Sequence, residues 1–286
     1  MSLRTLARLG VISVFLISLG CTDTQSTPTP LKQSESKVEN QKGFKKQEKT
    51  QKQTKSMISR EYVYLSKNEK KELEQIKKQP IIYKGSNHSK KVALTFDDGP
   101  DIEVTNKILT ILREHHVPAT FFVTGRMVQE YPHMLKKIYE EGHVIGNHSW
   151  SHPQLTKISP REVENQLNRT NQIIEKVIGK KVVLFRPPYG ATNTRVQQLI
   201  KKNGFLIINW SVDTNDWRGN SGTKIEQIVK QQMSPGGIIL QHNAGNKLQG
   251  TVDALPKIIH FLKSQNYQLV TVDQLVDSPP YKENTH

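Results

Sequence analysis

From Lys91 onward, short apolar runs alternate with segments of helical spacing, and this alternation narrows the fold more than any other feature. Strands are expected at 92–96, 119–123, 144–146, 182–185, 205–210, 237–240 and 268–272. Between them the spacing predicts helices at 102–115, 132–141, 160–178, 194–203, 223–233 and 252–264. Ser159 and Pro160 give the third of these a hydroxyl cap and a proline at its first position. Strand–helix repeats of this length call for parallel strands joined by helical crossovers. The strands are apolar throughout, as in a sheet covered by helices. About seven units fit between Lys91 and Val276, whereas a full eightfold barrel takes about 250 residues. The expected fold is α/β, a distorted or incomplete (β/α) barrel of about seven units with helices outside. An open doubly wound sheet is the alternative, but no glycine-rich nucleotide loop follows the first strand.

The chain before residue 91 is of a different kind. The formal charge of the 286 residues is +15, and residues 22–90 hold two basic side chains for every acidic one. From Thr22 to about Lys55 the chain is Lys, Gln, Ser, Thr and Glu with almost no large apolar residues. Such a stretch cannot bury enough surface to offset its ordering entropy, so it reads as a tether. Its charge suits an envelope surface rich in phosphates or carboxylates, and a solvated spacer is the plainer reading. No nucleic-acid-binding motif accompanies it, and no protein partner is evident.

Arg4 and Arg8 precede an apolar run at 9–19, too short to span a bilayer comfortably, which is a secretory signal pattern. Cys21 is the only cysteine, so the fold needs no internal disulfide. Gly20 before Cys21 resembles a bacterial lipoprotein cleavage site, where the cysteine takes up lipid. Ser18 and Leu19 depart from that pattern, and an ordinary signal peptide is the alternative. The expected division is a signal peptide at 1–20, a basic tether at 21–60 from a lipid-bearing Cys21, a pre-domain segment at 61–90, the main domain at 91–276 and a tail at 277–286. Within 61–90, a strand is expected at 62–65 and a polar helix at 68–78.

The residues with chemistry fall just after strand ends. His148 and His152 stand at i and i+4, which on one helical turn puts both imidazoles on one face, close enough to share a metal. Two surface or capping histidines would have the same spacing. Asp97 and Asp98 are adjacent carboxylates at the end of an apolar strand, where they repel unless a cation or partner compensates. Gly99 and Pro100 make a turn able to aim both into one pocket. One Asp with two His is a common hydrolytic metal set that leaves room for water and a substrate oxygen. Arg186, the Asp213–Asp216–Trp217 cluster and His242 close three later strands; each alone reads equally well as structural.

Together, TFDDGP at 95–100, HSWSH at 148–152, RPPYG at 186–190, DTNDW at 213–217 and LQH at 240–242 make the chain resemble the polysaccharide deacetylases. These are also called the nodulation-protein B homology domain or carbohydrate esterase family four. The resemblance covers about residues 80–276 and is greatest to secreted or lipoprotein members of Bacillus-type Gram-positive bacteria. It implies a barrel with fewer than eight complete units and one divalent metal, zinc or cobalt. It implies Asp98, His148 and His152 as metal ligands, Asp97 as general base and His242 as general acid. By the same resemblance Arg186 holds Asp97, Asp216 orients His242, and Tyr189 offers its backbone N–H to an oxyanion. Trp217 and Leu240 then shape the acetyl and sugar pocket. One position departs: Asn243 stands where an aspartate often follows the motif histidine, a change expected to alter the loop but no catalytic role.

These readings converge on a metal-dependent hydrolase that removes N-acetyl groups from amino sugars of a polysaccharide, peptidoglycan (GlcNAc or MurNAc) or chitin-like oligomers. Its expected place is the outer face of the cell membrane, held by lipid beside its cell-wall substrate. An O-acetyl esterase and a non-catalytic wall-binding module are the alternatives.

Overall fold

The computed structural model describes residues 65–282. The expected signal peptide, Cys21, the tether and the end of the tail lie outside the described residues, as does the strand expected at 62–65 except for Leu65, which is in no strand.

The sheet is built around β1 (Lys91–Asp97), flanked by β2 (Thr120–Val123) and β7 (Ile238–His242). Beyond β2 follow β3 (Val144–Asn147), β4 (Leu184–Phe185) and β5 (Leu206–Ile207), and beyond β7 lies β6 (Val212–Asp213). Every pairing between these strands is parallel. A short β8 (Gln268–Leu269) pairs with the first two residues of β1. The sheet is therefore a curled, incomplete barrel, open between β5 and β6, as the strand count predicts. At the opening, Ile82 donates to the carbonyl of Ile207 and accepts from the N–H of Asn209, and Lys84 bridges to Gly237. The segment just before β1 thus covers the unpaired edge.

The helices are α1 (Lys67–Lys78), α2 (Glu103–Glu114), α3 (Gly125–Glu130), α4 (Pro132–Glu140), α5 (Pro160–Ile178), α6 (Thr194–Lys202), α7 (Gly222–Gln232), α8 (Gln249–Ser264) and α9 (Val272–Val276). Local chemistry sets their ends. Ser159 accepts from the N–H of Glu162 to start α5, and Gly179 ends it in the left-handed conformation. Ser66 caps α1 in the same way, and Leu73 and Ile76 bury its inner face.

Three elements differ from the sequence reading. α3 was not expected. The strand expected at 205–210 stops at Ile207, and a second strand, β6, begins at Val212. The run to Val272 ends early, because Thr271 is the N-cap of α9 and its N–H donates to Gln274 Oε1. Each is six residues or fewer, and periodicity is weak over such lengths.

Two apolar layers fill the fold. Val92, Leu94 and Phe96 of β1 face the helices, while Ala93 faces inward with Ile82, Phe122, Leu184, Ile238 and the buried face of α1. The inward face of β1 continues through Thr95 and Asp97, both buried, so its apolar character ends where the site begins. All strand C-termini and their following loops gather at that end.

At the opposite end, His143 precedes β3, buried, with its Nδ1 accepting the N–H of Ala119 at 3.2 Å and its ring 5.4 Å from that of Phe121. Burial pushes its pKa down to about 4. The folded state therefore prefers the neutral ring, so its contribution is intact above the unfolded value near 6.5 and is lost as pH falls toward 4. Denaturant titrations should show His143→Gln, which keeps an acceptor and does not titrate, losing about 2 kcal/mol less than wild type between pH 7 and 4.5. Equal losses in both proteins would contradict this.

Candidate active site

Adjacent residues of a strand point to opposite faces, yet Asp97 and Asp98 both face the mouth of the barrel. Backbone geometry resolves this. Asp97 ends β1, and Asp98 takes φ 78°, turning its side chain back toward the same space. The turn is held by Thr124, whose hydroxyl donates to the carbonyl of Asp98 at 3.1 Å and whose N–H donates to that of Gly99 at 3.1 Å.

Arg186, just after β4, is wholly buried. It donates to Asp97 Oδ1 at 2.7 Å, to Thr95 Oγ1 at 2.8 Å, and to the carbonyls of Ile208 and Asn209 at 3.3 and 3.2 Å. Its guanidinium lies 4.1 Å from the ring centre of Phe122. Burial lowers the Arg186 pKa, and Asp97 works against that shift.

The histidine pair corrects the sequence reading. Residues 148–154 form no helix; Ser149 and His152 have φ of 69° and 58°, and the segment is an irregular loop. Asn147 Oδ1 accepts from the N–H of Ser149, Gln166 Oε1 accepts from those of Trp150 and Ser151, and Ser149 Oγ accepts from that of His152. The outcome matches the expectation although the scaffold does not: the two rings lie 4.9 Å apart. His148 Nδ1 is 2.7 Å from the carbonyl of Arg186, an acceptor only, so Nδ1 carries the proton and Nε2 faces the site with a lone pair.

Asp98 Oδ1 is 3.5 Å from His148 Nε2 and 3.4 Å from His152 Nε2. One atom from each residue lies within 4.8 Å of the others, and among the described residues no second group of this kind occurs. Asp98 Oδ1 is buried without a hydrogen-bond partner. A buried oxygen facing two imidazole lone-pair positions, without a donor, is the environment a divalent cation satisfies, so these residues fit one. Burial raises the Asp98 pKa, but His148 and His152 more than offset it and bring it down to about 2. Burial lowers His148, yet Asp97 and Asp98 outweigh it and the net shift is upward. At His152, burial and His148 prevail over the carboxylates and lower it.

β7 brings the other half. His242 pairs in register with Asp97 across β1 and β7. Its Nδ1 lies 2.7 Å from Asp216 Oδ1. Asp216 also accepts from the N–H groups of His242 and Trp217 and from Thr251 Oγ1, so four donors converge on one buried carboxylate. Burial lowers the His242 pKa, but Asp216 overcomes that and, with Asp97 and Asp98, raises it to about 9.

The remaining expected residues border this space differently. Leu240 is buried on β7. Tyr189, at φ 60°, sets its ring centre 4.6 Å from that of His152 in an edge-on arrangement and is 67% exposed. Trp217 is 53% exposed, with Arg218 stacked 4.8 Å over it. Exposed aromatic faces at a polar mouth are what a sugar ring stacks against.

Some contributors escaped the sequence reading. Thr95 shares the inward face of β1 with Asp97, a parity visible in TFDDGP. Gln166 and Thr251 act from helices far along the chain, and nothing in the sequence marks them. Asn243 was read as a loop change; it is fully buried and bonded to the turn after Asp98.

Comparison with known proteins agrees with this geometry. Residues 84–208 match the family described as polysaccharide deacetylase. A peptidoglycan-N-acetylglucosamine deacetylase of Bacillus cereus is 43% identical over 201 residues, 70% of this chain and 73% of that one. The peptidoglycan-N-acetylmuramic acid deacetylase PdaC of Bacillus subtilis is 39% identical over 234 residues, 80% of this chain but 49% of the longer relative. Among solved structures, a peptidoglycan N-acetylglucosamine deacetylase superposes with TM-score 0.70 at 41% identity, covering 72% of this chain and 96% of the other. A pseudoenzyme from Bacillus anthracis also shares the fold, at 34% identity and TM-score 0.66, covering 71% of this chain and 72% of that one. The chain belongs to the polysaccharide deacetylase family.

Proposed function

We propose that the protein hydrolyses the N-acetyl groups of amino sugars in peptidoglycan, GlcNAc or MurNAc, using one divalent metal, zinc or cobalt, held by Asp98, His148 and His152. The observation that carries this reading is an acid–base pair in register on neighbouring strands. Arg186 fixes Asp97 on one, and Asp216 fixes His242 on the other, beside three converging metal-ligand atoms. Its similarity to two peptidoglycan deacetylases supports peptidoglycan as the substrate.

An acetamide resists attack, and its amine leaves only when protonated. A metal in the Asp98–His148–His152 site supplies Lewis acidity toward the acetyl carbonyl and makes a nearby water easier to deprotonate. Asp97 Oδ1 is occupied by Arg186, leaving Oδ2 to take the proton from that water, a role worth on the order of 10²–10⁴ in rate. The N–H of Tyr189 donates to the developing oxyanion. His242 Nδ1–H is committed to Asp216, so Nε2–H is the proton delivered to the departing nitrogen. Leu240 and Trp217 border the acetyl and sugar rings.

The pseudoenzyme relative shows that this fold also occurs without turnover. The complete Asp97–Arg186 and His242–Asp216 pairs favour catalysis here over a wall-binding module. An O-acetyl esterase remains the second reading, since an alcohol leaves with less help from His242. Acetate release from peptidoglycan, chitin oligomers and acetylxylan separates the three. Asp98→Ala, His148→Ala and His152→Ala should lower metal content, whereas Asp97→Asn should keep the metal and lose about 100-fold or more in acetate release. An empty site in purified Asp97→Asn would make Asp97 a ligand instead.

The raised pKa of His242 sets the alkaline limit. The acid form persists below about 9 and is lost as pH rises through that value. Asp216→Asn removes the main cause of the rise, so the basic limb of kcat/KM should move to lower pH and the maximum rate on the amide should fall. A limb that stays in place would dissociate His242 from that titration.

None of the helices among the described residues is long and apolar enough to cross a membrane. We place the enzyme on the outer face of the membrane through lipid on Cys21, which follows Gly20 and is the only cysteine. Cys21→Ala should move the protein from the membrane fraction to the medium; unchanged fractionation and processing would favour an ordinary signal peptide.

A further inference from the structure

Asn243 follows His242, lies fully buried, and bonds to the turn that carries Asp98. Its backbone N–H donates to the carbonyl of Asp97 at 3.0 Å, extending the contact between β1 and β7 by one residue. Its side-chain Oδ1 accepts the N–H of Gly99 at 3.2 Å. Its Nδ2 donates to Thr105 Oγ1 at 3.0 Å, and that hydroxyl donates back to the carbonyl of Asn243 at 3.1 Å. The N–H of Asp101 reaches the same hydroxyl at 3.0 Å, and Asp101 Oδ1 in turn accepts the N–H of Thr105 at 2.9 Å.

Donor and acceptor counts leave one consistent arrangement. The N–H of Gly99 requires an acceptor, which places Oδ1 there and turns Nδ2 toward Thr105. The Thr105 hydroxyl has one proton and two lone pairs. Its proton goes to the carbonyl of Asn243, and its lone pairs receive Asn243 Nδ2 and the N–H of Asp101. The amide fills this position with both its groups, Oδ1 accepting from Gly99 and Nδ2 donating to Thr105. Packing is equally specific: a Cβ on Gly99 would stand 2.1 Å from Asn243 Nδ2, so the amide lies flat against a bare backbone.

We propose that Asn243 is a positioning residue, an amide latch that joins the turn bearing Asp98 to the end of β7. The β1–β7 ladder ends with Asp97 and His242, and among the described residues the latch is the side-chain connection from β7 to the turn beyond it. Asp98 has a left-handed backbone, and the N–H of the next residue is held by Asn243. Without the latch, the two imidazoles keep their places on the β3 loop while the Asp98 carboxylate loses its fixed aim. The role rests on the metal site proposed above.

The test uses the chain without its signal peptide, in wild-type, Asn243→Ala, Thr105→Val and Ile174→Ala forms. Ile174 is buried on α5 and serves as a control for general destabilisation. Zinc affinity is measured by chelator competition, with kcat, KM and the melting temperature of the metal-free protein. Asn243→Ala should weaken zinc binding about tenfold or more and lower kcat, with KM within twofold. Thr105→Val should follow in the same direction to a smaller extent, and Ile174→Ala should lose melting temperature while keeping zinc affinity. A metal-binding wild type whose Asn243→Ala form binds equally well overturns the latch alone. So does a comparable loss of zinc affinity in Ile174→Ala. A wild type that takes no zinc or cobalt overturns the metal centre and the latch with it.

Discussion

A guanidinium with no solvent exposure sits 2.7 Å from a buried carboxylate at the heart of this barrel, and the surrounding backbone is arranged to accommodate the pair. Removing two such charges from water costs several kcal/mol each, recovered only when every remaining donor finds an acceptor. Arg186 comes close to that condition, with four of its five N–H groups bonded to Thr95 and Asp97 on β1 and to two carbonyls just past β5. The donors are satisfied only if three strands end at matching heights. A one-residue slip in β1 would turn Thr95 and Asp97 into the helix layer and strand the cation. The pair thus selects the register of the sheet, and its own carbonyl also fixes the tautomer of His148. One residue therefore controls both the carboxylate proposed as base and one of the proposed metal ligands.

The His242–Asp216 pair, proposed as the acid half, is organised on a different principle. Asp216 has no guanidinium or ammonium partner among the described residues; it is held by two backbone N–H groups, a threonine hydroxyl and the His242 imidazole. Neutral donors hold an anion without competing for its charge, so the field of Asp216 remains available to His242. At Asp97, by contrast, Arg186 spends much of that field. Two aspartates in one cavity are so differentiated by their partners, Asp97 facing a fixed cation and Asp216 a titratable imidazole.

Much of this was legible because the chemistry follows chain periodicity. The helix start at Ser159 and Pro160 and the clustering of motifs after strands both follow from spacing. What was not legible depends on distant partners. HSWSH has helical spacing but folds as a loop, because Asn147 and Gln166 offer its N–H groups better acceptors than its own carbonyls. Local side-chain bonds of this kind routinely displace helix. Asn243 illustrates the limit more sharply. Its identity follows from Gly99 and Thr105, more than 130 positions away, and no local signal in residues 240–246 points to either.

The balance between amide and ester chemistry comes down to how firmly His242 keeps its proton. An alkoxide departs from a tetrahedral adduct with modest help, whereas an amine departs only once protonated, so an amidase must hold its acid charged throughout neutral pH. Burial acts against this, since it disfavours imidazolium. The protein opposes burial by placing Asp216 against Nδ1 and leaving Asp97 and Asp98 within range, and the balance falls near 9. Four donors hold that carboxylate against the imidazole and so keep a proton available to a leaving nitrogen, which departs only when protonated.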